Sequence, residues 1–238
     1  MTRRLLPLLS ALVPSLLLGS CASTAREIDS LFYEQAERPE AGWADVDFSD
    51  PAVWSVGAEG EREYLELAEG SGYRPPHRSP RSIALVTQYR YGDFVLDVDA
   101  QQIGREYGHR DLCLFFGYQS PERFYYVHLA TEPDQNAHNV FLVDGADRRN
   151  LLAPQERGVD WGAGWHHLRL ERDAEEGTVR VFFDDMVTPV LEARDTTLSW
   201  GRVGVGSFDD TGRFANLELR AESALLVQDE PPAFATGG

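Results

Sequence analysis

From the run EYLELA onward, the chain alternates between short runs of strand-forming residues and turn residues. In DFVLDVDA, Leu96 and Val98 alternate with Asp97, which is the period of a half-buried strand. Further runs of this kind are SIALVTQY, DLCLFFGY, RFYYVHLA, HNVFLVD, WHHLRLER, TVRVFFDD, TPVLEAR, GRVGVGSF and RFANLELR. No long helical period is present. Close spacing of such runs, with turns such as AEEG and DDTG between them, predicts an all-β antiparallel sandwich.

Five segments in order carry a family resemblance: DFSDPAVW, SPRSIALV, DFVLDVDAQ, GWHHLRLERDAEEGTVRVFFDD and WGRVGVGSFDDTGRFANLELR. Over roughly residues 45–221 the chain resembles the concanavalin A-like lectin/glucanase superfamily. Within it, the chain is similar to laminin G-like and 3-keto-disaccharide hydrolase-type domains. The resemblance implies a jelly roll of two curved sheets, whose concave face holds carbohydrate in many members. A shared fold does not imply catalysis.

The first residues predict export. MTRRLLPLLSALVPSLLLGSCAS has a basic start, an apolar run and small residues that end at Cys21. LGSC resembles the bacterial lipobox, which implies a lipid on Cys21 and attachment to a membrane of the bacterial envelope; the alternative is a plain secretory signal. We therefore predict a signal peptide over 1–20, a polar tether over 21–44, the sandwich over 45–222 and a disordered tail over 223–238.

Charge and cysteine content narrow the possible partners. The formal net charge of −17 disfavours nucleic acid as a partner. With Cys21 carrying lipid, Cys113 is left without a disulfide partner, and its place in DLCLFFGY predicts a buried side chain. His166 and His167 point to opposite faces of a strand, and neither C-x-x-C nor H-E-x-x-H occurs, so no zinc site is expected.

The segment RFYYVHLATEPDQNAHNVFLV holds the main candidate site. Strand alternation puts Tyr126 and His128 on one face, and Tyr125, Val127 and Leu129 on the other. The second set is more apolar and suits the core between the sheets. We therefore predict that Tyr126 and His128 line a groove.

After the loop TEPDQNA, His138 begins the next strand and is expected to fold back toward His128. A groove with Tyr126, His128 and His138 can bind sugar hydroxyls. It can also support a polysaccharide lyase, in which one group removes a proton beside a uronate carboxyl and another protonates the leaving oxygen. Arg123 or Arg148 would then neutralise the carboxylate. Tyrosine and histidine are also common on half-exposed strands with no such role.

Two other features bear on carbohydrate chemistry. Trp161 lies in the glycine-rich connection GVDWGAGW and is predicted to be exposed for stacking on a sugar. The acidic motif E-x-D-x-x-E of laminarinase-like members is absent. Asp93, Asp97 and Asp99 come closest to it, but they are interpreted as solvated strand charges.

Calcium is a possible structural cofactor, because members of the superfamily often bind it where the first and last strands meet. Asp47, Asp50 and Asn216 offer hard oxygen donors in those two places. Asp209 and Asp210 are expected to form a turn instead.

Three functions remain open at this point. The preferred one is an envelope-anchored lipoprotein that binds or processes polysaccharide through a groove of the β-sandwich, with binding slightly favoured. The alternatives are a polysaccharide lyase or glycoside hydrolase, and a non-catalytic adhesion module.

Overall fold

The computed structural model describes residues 46–87, 89–221, 224–226 and 232–234. The expectations for the signal peptide, Cys21 and the tether lie outside these residues. The strands are β1 Val46–Phe48, β2 Trp54–Glu59, β3 Arg62–Leu67, β4 Ser82–Val86, β5 Tyr89–Tyr91, β6 Phe94–Gln102, β7 Asp111–Ser120, β8 Arg123–Ala130, β9 Asn139–Asp144, β10 Arg149–Asn150, β11 His166–Asp173, β12 Thr178–Phe183, β13 Leu191–Arg194, β14 Arg202–Ser207, β15 Gly212–Ala221 and β16 Ala224–Leu226. A single 3-10 turn, Pro51–Val53, is the helical element in this part of the chain.

Two seven-stranded sheets form the body of the molecule. Sheet A has the order β1-β4-β14-β7-β8-β9-β10, and sheet B has the order β13-β12-β11-β6-β15-β3-β2. Their strands pair antiparallel throughout, while β16 and β5 form a separate two-stranded ribbon. The predicted antiparallel jelly-roll sandwich is confirmed. Within the described ranges, no helix is long and apolar enough to cross a membrane.

The main core lies between the two sheets and follows the period-two pattern. Leu96 and Val98 of β6 face it from sheet B. Tyr125, Val127 and Leu129 of β8 face it from sheet A, which confirms the predicted inward face of that strand.

A second apolar layer covers the outer face of sheet A, opposite the main core. Its buried members are Ile83, Leu85, Cys113, Phe115, Tyr118, Phe124, Tyr126, Phe141, Val143 and Phe234. Tyr73 and Ala233 pack against this layer from outside the sheet. The reason is visible in the sequence, because β7 and β8 are apolar at almost every position, as expected for strands buried on both faces.

The described pieces of the segment 223–238 differ from the expected disordered tail. Residues 224–226 form β16, which pairs with β5. The backbone N–H of Ala233 donates a 2.9 Å hydrogen bond to Asp47, and Phe234 is only 6% exposed against Tyr73 and Tyr118. Ala233 and Phe234 thus both contact the outer side of sheet A.

The outer face of sheet B is polar. Val95, Asp97 and Asp99 of β6 and His167 and Arg169 of β11 alternate with the core residues of the same strands. This clean alternation is typical of a sheet with one face in water.

Candidate functional site

The residues of the predicted groove lie together, but they are buried. Tyr126 and His128 share the outer face of sheet A, with ring centroids 6.5 Å apart. Burial, and after it the nearby His128, lower the pKa of His138 to about 4. Tyr126, His128 and His138 are 0%, 4% and 0% exposed, so the prediction that they line an open groove is wrong.

The second apolar layer explains this burial. The guanidinium of Arg148 lies 4.5 Å from the ring centroids of both Phe141 and Phe208, and it donates a 2.7 Å hydrogen bond to the hydroxyl of Tyr126. A second nitrogen of Arg148 donates to the backbone oxygen of Asn136. Burial raises the pKa of Tyr126 far above its ordinary value. Arg148 is therefore engaged by Tyr126 and Asn136 in closing this face.

The two remaining predicted sugar-binding residues lie apart from this cluster. Arg123 is half exposed and forms a 2.8 Å ion pair with Asp144. Trp161 is fully buried, so the prediction that it is exposed is wrong. The glycine-rich connection folds its ring into the main core, where its Nε1 donates to the backbone oxygen of Leu129 and its ring meets that of Phe183 edge-on.

The three predicted calcium ligands have separate partners. Asp47 pairs with Arg202 at 2.9 Å, while Asp50 accepts hydrogen bonds from the backbone of Ala52 and Gly72. Asn216 donates its amide to Asp99 on sheet B. Each side chain thus has its own local role, and the calcium expectation gains no support from their arrangement.

An open cleft of about 740 Å³ lies over the polar outer face of sheet B. Its lining includes Glu61, Glu63, Asp97, Asp99, His167, Arg169, Asn216, Glu218 and Arg220. Antiparallel pairing of β6 with β11 puts His167 directly opposite Asp99, and Arg169 directly opposite Asp97. Cross-strand neighbours of opposite charge on one face interact directly, so the strand register builds the floor of the cleft.

The polar groups of the cleft hold one another in place. The ring nitrogens of His167 lie 2.9 Å from a carboxylate oxygen of Asp99 and 3.1 Å from one of Asp97. Arg169 and Arg220 both donate to Asp97, with the Arg169 bond at 2.8 Å. These bonds fix the side chains before any ligand arrives, which reduces the entropy lost on binding.

A bulge in β15 adds an amide to this network. The pairing register of β15 with β6 shifts between Ala215 and Glu218, and Asn216 takes a left-handed backbone angle, φ 50°. Asparagine tolerates this conformation better than most residues. The bulge turns the Asn216 amide toward Asp99, to which it donates at 2.8 Å.

The electrostatics of Asp97 limit the chemistry of the cleft. Burial opposes the charge on this carboxyl, but hydrogen bonds from Arg169 and Arg220 outweigh it and lower the pKa. Asp97 is therefore ionised at neutral pH and cannot act as a proton donor to a leaving group.

An aromatic pair borders the same network. The rings of Trp165 and Tyr64 lie 6.0 Å apart, and the guanidinium of Arg62 lies 4.7 Å from the Trp165 ring while facing Asp99 at 3.6 Å. Trp165 is half-buried, and its Nε1 donates to Glu59. It takes the place at the open face that was expected of Trp161.

Sequence reasoning missed this site because it treated the acids of DFVLDVDA as solvated. The available signal was the pairing of two period-two patterns, D-x-D in β6 and H-x-R in β11, with opposite charge. Only the register between the two strands turns those patterns into one site.

Comparisons with known proteins agree on the fold. No protein-family model and no curated protein sequence matches the chain. The carbohydrate-binding module CBM66 from Bacillus subtilis is similar with a TM-score of 0.53 and 16% identity, over 74% of this chain and 96% of the module. A Parabacteroides distasonis protein described as a glycosyl hydrolase has a TM-score of 0.49 and 13% identity, over 74% and 93%. Alginate lyase AlgAT5 of polysaccharide lyase family 7 has a TM-score of 0.44 and 11% identity, over 76% and 95%. The likeness to the Bacillus subtilis module shows a β-sandwich fold and leaves the ligand open.

Proposed function

We propose that the protein binds a polysaccharide or oligosaccharide in the cleft on the outer face of sheet B. The observation that carries this proposal is the preorganised network of Asp97, Asp99, His167 and Arg169 on the floor of the cleft. Planar charged side chains held in fixed positions can form hydrogen bonds with pairs of sugar hydroxyls. The neighbouring Trp165 can pack against a pyranose ring. The similar fold of CBM66, a carbohydrate-binding module from Bacillus subtilis, adds support.

The charges of the cleft favour a neutral glycan. Its acidic groups outnumber its arginines, and both Arg169 and Arg220 are already bound to Asp97. A uronate or sulfated sugar would meet net negative charge, which repels it. The hydroxyls of a neutral glycan would find both hydrogen-bond donors and hydrogen-bond acceptors in the cleft.

Asp97 does not fit the proton-donating acid of a glycosidase. A glycosidase needs one carboxylic acid that keeps its proton near neutral pH. Asp97 has its pKa lowered instead, and its two oxygens serve Arg169, Arg220 and His167. A lyase or hydrolase activity is therefore the second outcome of the test below rather than the main proposal.

We further propose that the protein is anchored by lipid on Cys21 to a membrane of the bacterial envelope. The proposal rests on LGSC following an apolar run at the start of the chain. Replacing Cys21 with Ala should abolish fatty-acid labelling and release the protein from the membrane fraction. A wild-type protein without lipid would contradict it.

Two adjacent histidines provide a matched test of the cleft. His167 faces it, whereas His166 bonds with Asp184 and stacks on Phe183 at 4.7 Å. We expect His167→Ala to weaken retention of a neutral glycan by about tenfold or more, equivalent to about 1.4 kcal/mol, with little change in Tm. We expect His166→Ala to lower Tm and leave retention intact.

The readout is a glycan array of neutral and uronate-containing chains, followed by an ultraviolet assay for unsaturated sugar products. Equal retention by the two variants would show that the cleft is not the site. Stronger retention of uronate chains would overturn the neutral-glycan proposal, and product formation would make the protein an enzyme.

A further inference from the structure

Three chemically reactive side chains meet inside the second apolar layer of sheet A. Cys113 of β7 is the direct cross-strand partner of His128 of β8, and Asp111 lies two residues before Cys113 on the same face. One ligand atom from each lies within 4.8 Å of the others. The side chains are 0%, 4% and 0% exposed for Cys113, His128 and Asp111.

His128 is the unusual member of this cluster. Neither of its ring nitrogens has a hydrogen-bond partner among the described residues, although both are buried. Its Nε2 lies 3.4 Å from Oδ1 of Asp111, which is longer than the usual N–H···O distance of about 2.9 Å. Buried polar groups in folded proteins are nearly always hydrogen-bonded, and the long contact with Asp111 satisfies His128 only poorly.

A shared metal ion explains the spacing. Nitrogen and oxygen ligands bound tetrahedrally at about 2.1 Å from zinc lie about 3.4 Å from each other. The Sγ of Cys113 donates a 3.1 Å hydrogen bond to Oδ2 of Asp111, so Asp111 contacts both of the other two groups. Neighbouring ligands of one ion need not be aimed at each other as donor and acceptor.

We propose that Asp111, Cys113 and His128 bind one zinc ion in a buried site. A sulfur, an imidazole nitrogen and a carboxylate oxygen form a typical zinc donor set. The thiol proton of Cys113 leaves to solvent on binding. One thiolate and one carboxylate then neutralise Zn²⁺, which removes the cost of an unpaired charge in an apolar layer.

The surroundings orient the ligands. The backbone N–H of Phe208 donates to Oδ2 of Asp111 at 2.9 Å, and the hydroxyl of Ser207 donates to Oδ1 at 3.3 Å. Such outer contacts fix a ligating carboxylate in its binding orientation. Zinc would link β7 and β8 to the turn after β14, to which Phe208 belongs. The cluster arises from strand register rather than from a short sequence motif.

The test uses the purified full chain, zinc or cobalt salts, and the two cysteines of the sequence as each other's controls. Protein purified without chelator should contain about one zinc per chain. Cobalt should replace zinc and give a near-ultraviolet thiolate-to-cobalt band. We expect this band and the bound metal to survive in Cys21→Ser and to be lost in Cys113→Ser.

Zinc well below one per chain together with no cobalt band in the wild type would overturn the proposal. Metal bound equally by Cys113→Ser would overturn it as well. Should Cys113→Ser fail to fold, His128→Gln and the wild-type cobalt spectrum decide the question, because cobalt bound without a thiolate band excludes Cys113 as a ligand.

Discussion

The outer faces of the two sheets share the same strand geometry, but one face is buried and the other is open. On sheet A, the outer positions of β7 and β8 are apolar or aromatic, and the segments around Tyr73 and Phe234 cover them. On sheet B, the outer positions of β6 and β11 carry Asp97, Asp99 and His167, and they border an open cleft. The apolar face acquired a cover, and the charged face remained available to a ligand.

This difference teaches caution about chemically versatile residues on strands. Tyr126 and His128 have the side chains of a catalytic groove, but their neighbours on the same face are Phe124 and Phe141, which must be buried. Asp97 looks like an ordinary surface charge, yet three basic side chains gather around it. The neighbours of a residue on its own face indicate exposure better than its own chemistry does.

The test with the largest expected effect removes one aromatic ring from each outer face and compares the loss of stability. Phe141 is fully buried and stacks on Tyr126 at 5.0 Å. We expect Phe141→Ala to lower the free energy of unfolding by about 3 to 5 kcal/mol, because a large cavity remains in a packed layer. Tyr64→Ala, on the half-buried face of sheet B, should cost about 1 kcal/mol.

Denaturant unfolding of the two variants measures both losses. Equal losses of unfolding free energy would mean that the outer layer of sheet A is loosely packed, which would contradict the comparison. The glycan retention of Phe141→Ala, measured at a temperature where it is folded, should remain that of the wild type.

The sequence allowed the fold and the inward faces of β6 and β8 to be predicted, because both depend on local period. Tyr125 and Val127 lie in the main core as expected. Whether the opposite face is open depends on contacts that span the chain, such as Phe234 against Tyr118 or Tyr73. No local pattern reports such contacts, and the one available signal for the burial of Tyr126 was the near-continuous apolar run of β7 and β8.

The candidate site could not be predicted from the sequence for a related reason. Asp97 and Arg169 are separated by many residues and become neighbours through the pairing of β6 with β11. Arg220 joins them from β15 only after a bulge shifts the register. Each residue taken alone resembles a solvated strand charge.

A test with a smaller expected change in stability uses two aspartates whose pKa values shift in opposite directions. Asp97 has its pKa lowered, because hydrogen bonds from Arg169 and Arg220 outweigh burial. Asp210 contacts the first residue of β7, and burial raises its pKa to about 6. A hydrogen bond from Tyr107 lowers the pKa in part, and the neighbouring carboxylates raise it further. The first group therefore stabilises the fold when ionised, and the second destabilises it when ionised.

Asparagine variants should respond with opposite signs. We expect Asp97→Asn to be about 1 to 2 kcal/mol less stable than the wild type at pH 7, with the difference shrinking as pH falls below about 4. We expect Asp210→Asn to be about 1 to 2 kcal/mol more stable at pH 8, and this gain should vanish as pH falls from about 6 to about 4. Unfolding is measured in chelator across this range, and shifts of the same sign would contradict the assignment.

The smallest expected effect concerns two arginines, one outside the cleft and one in it. Arg123 and Asp144 form an exposed ion pair, with side chains 47% and 41% exposed, so Arg123→Ala should change stability by less than about 0.5 kcal/mol. It should also leave glycan retention unchanged, because Arg123 lies on sheet A. Arg220→Ala removes a partner of the buried Asp97 in the cleft and should weaken retention measurably. If Arg123→Ala reduced retention and Arg220→Ala did not, the glycan would bind along the edge of sheet A, and the open face of sheet B would lose its proposed role.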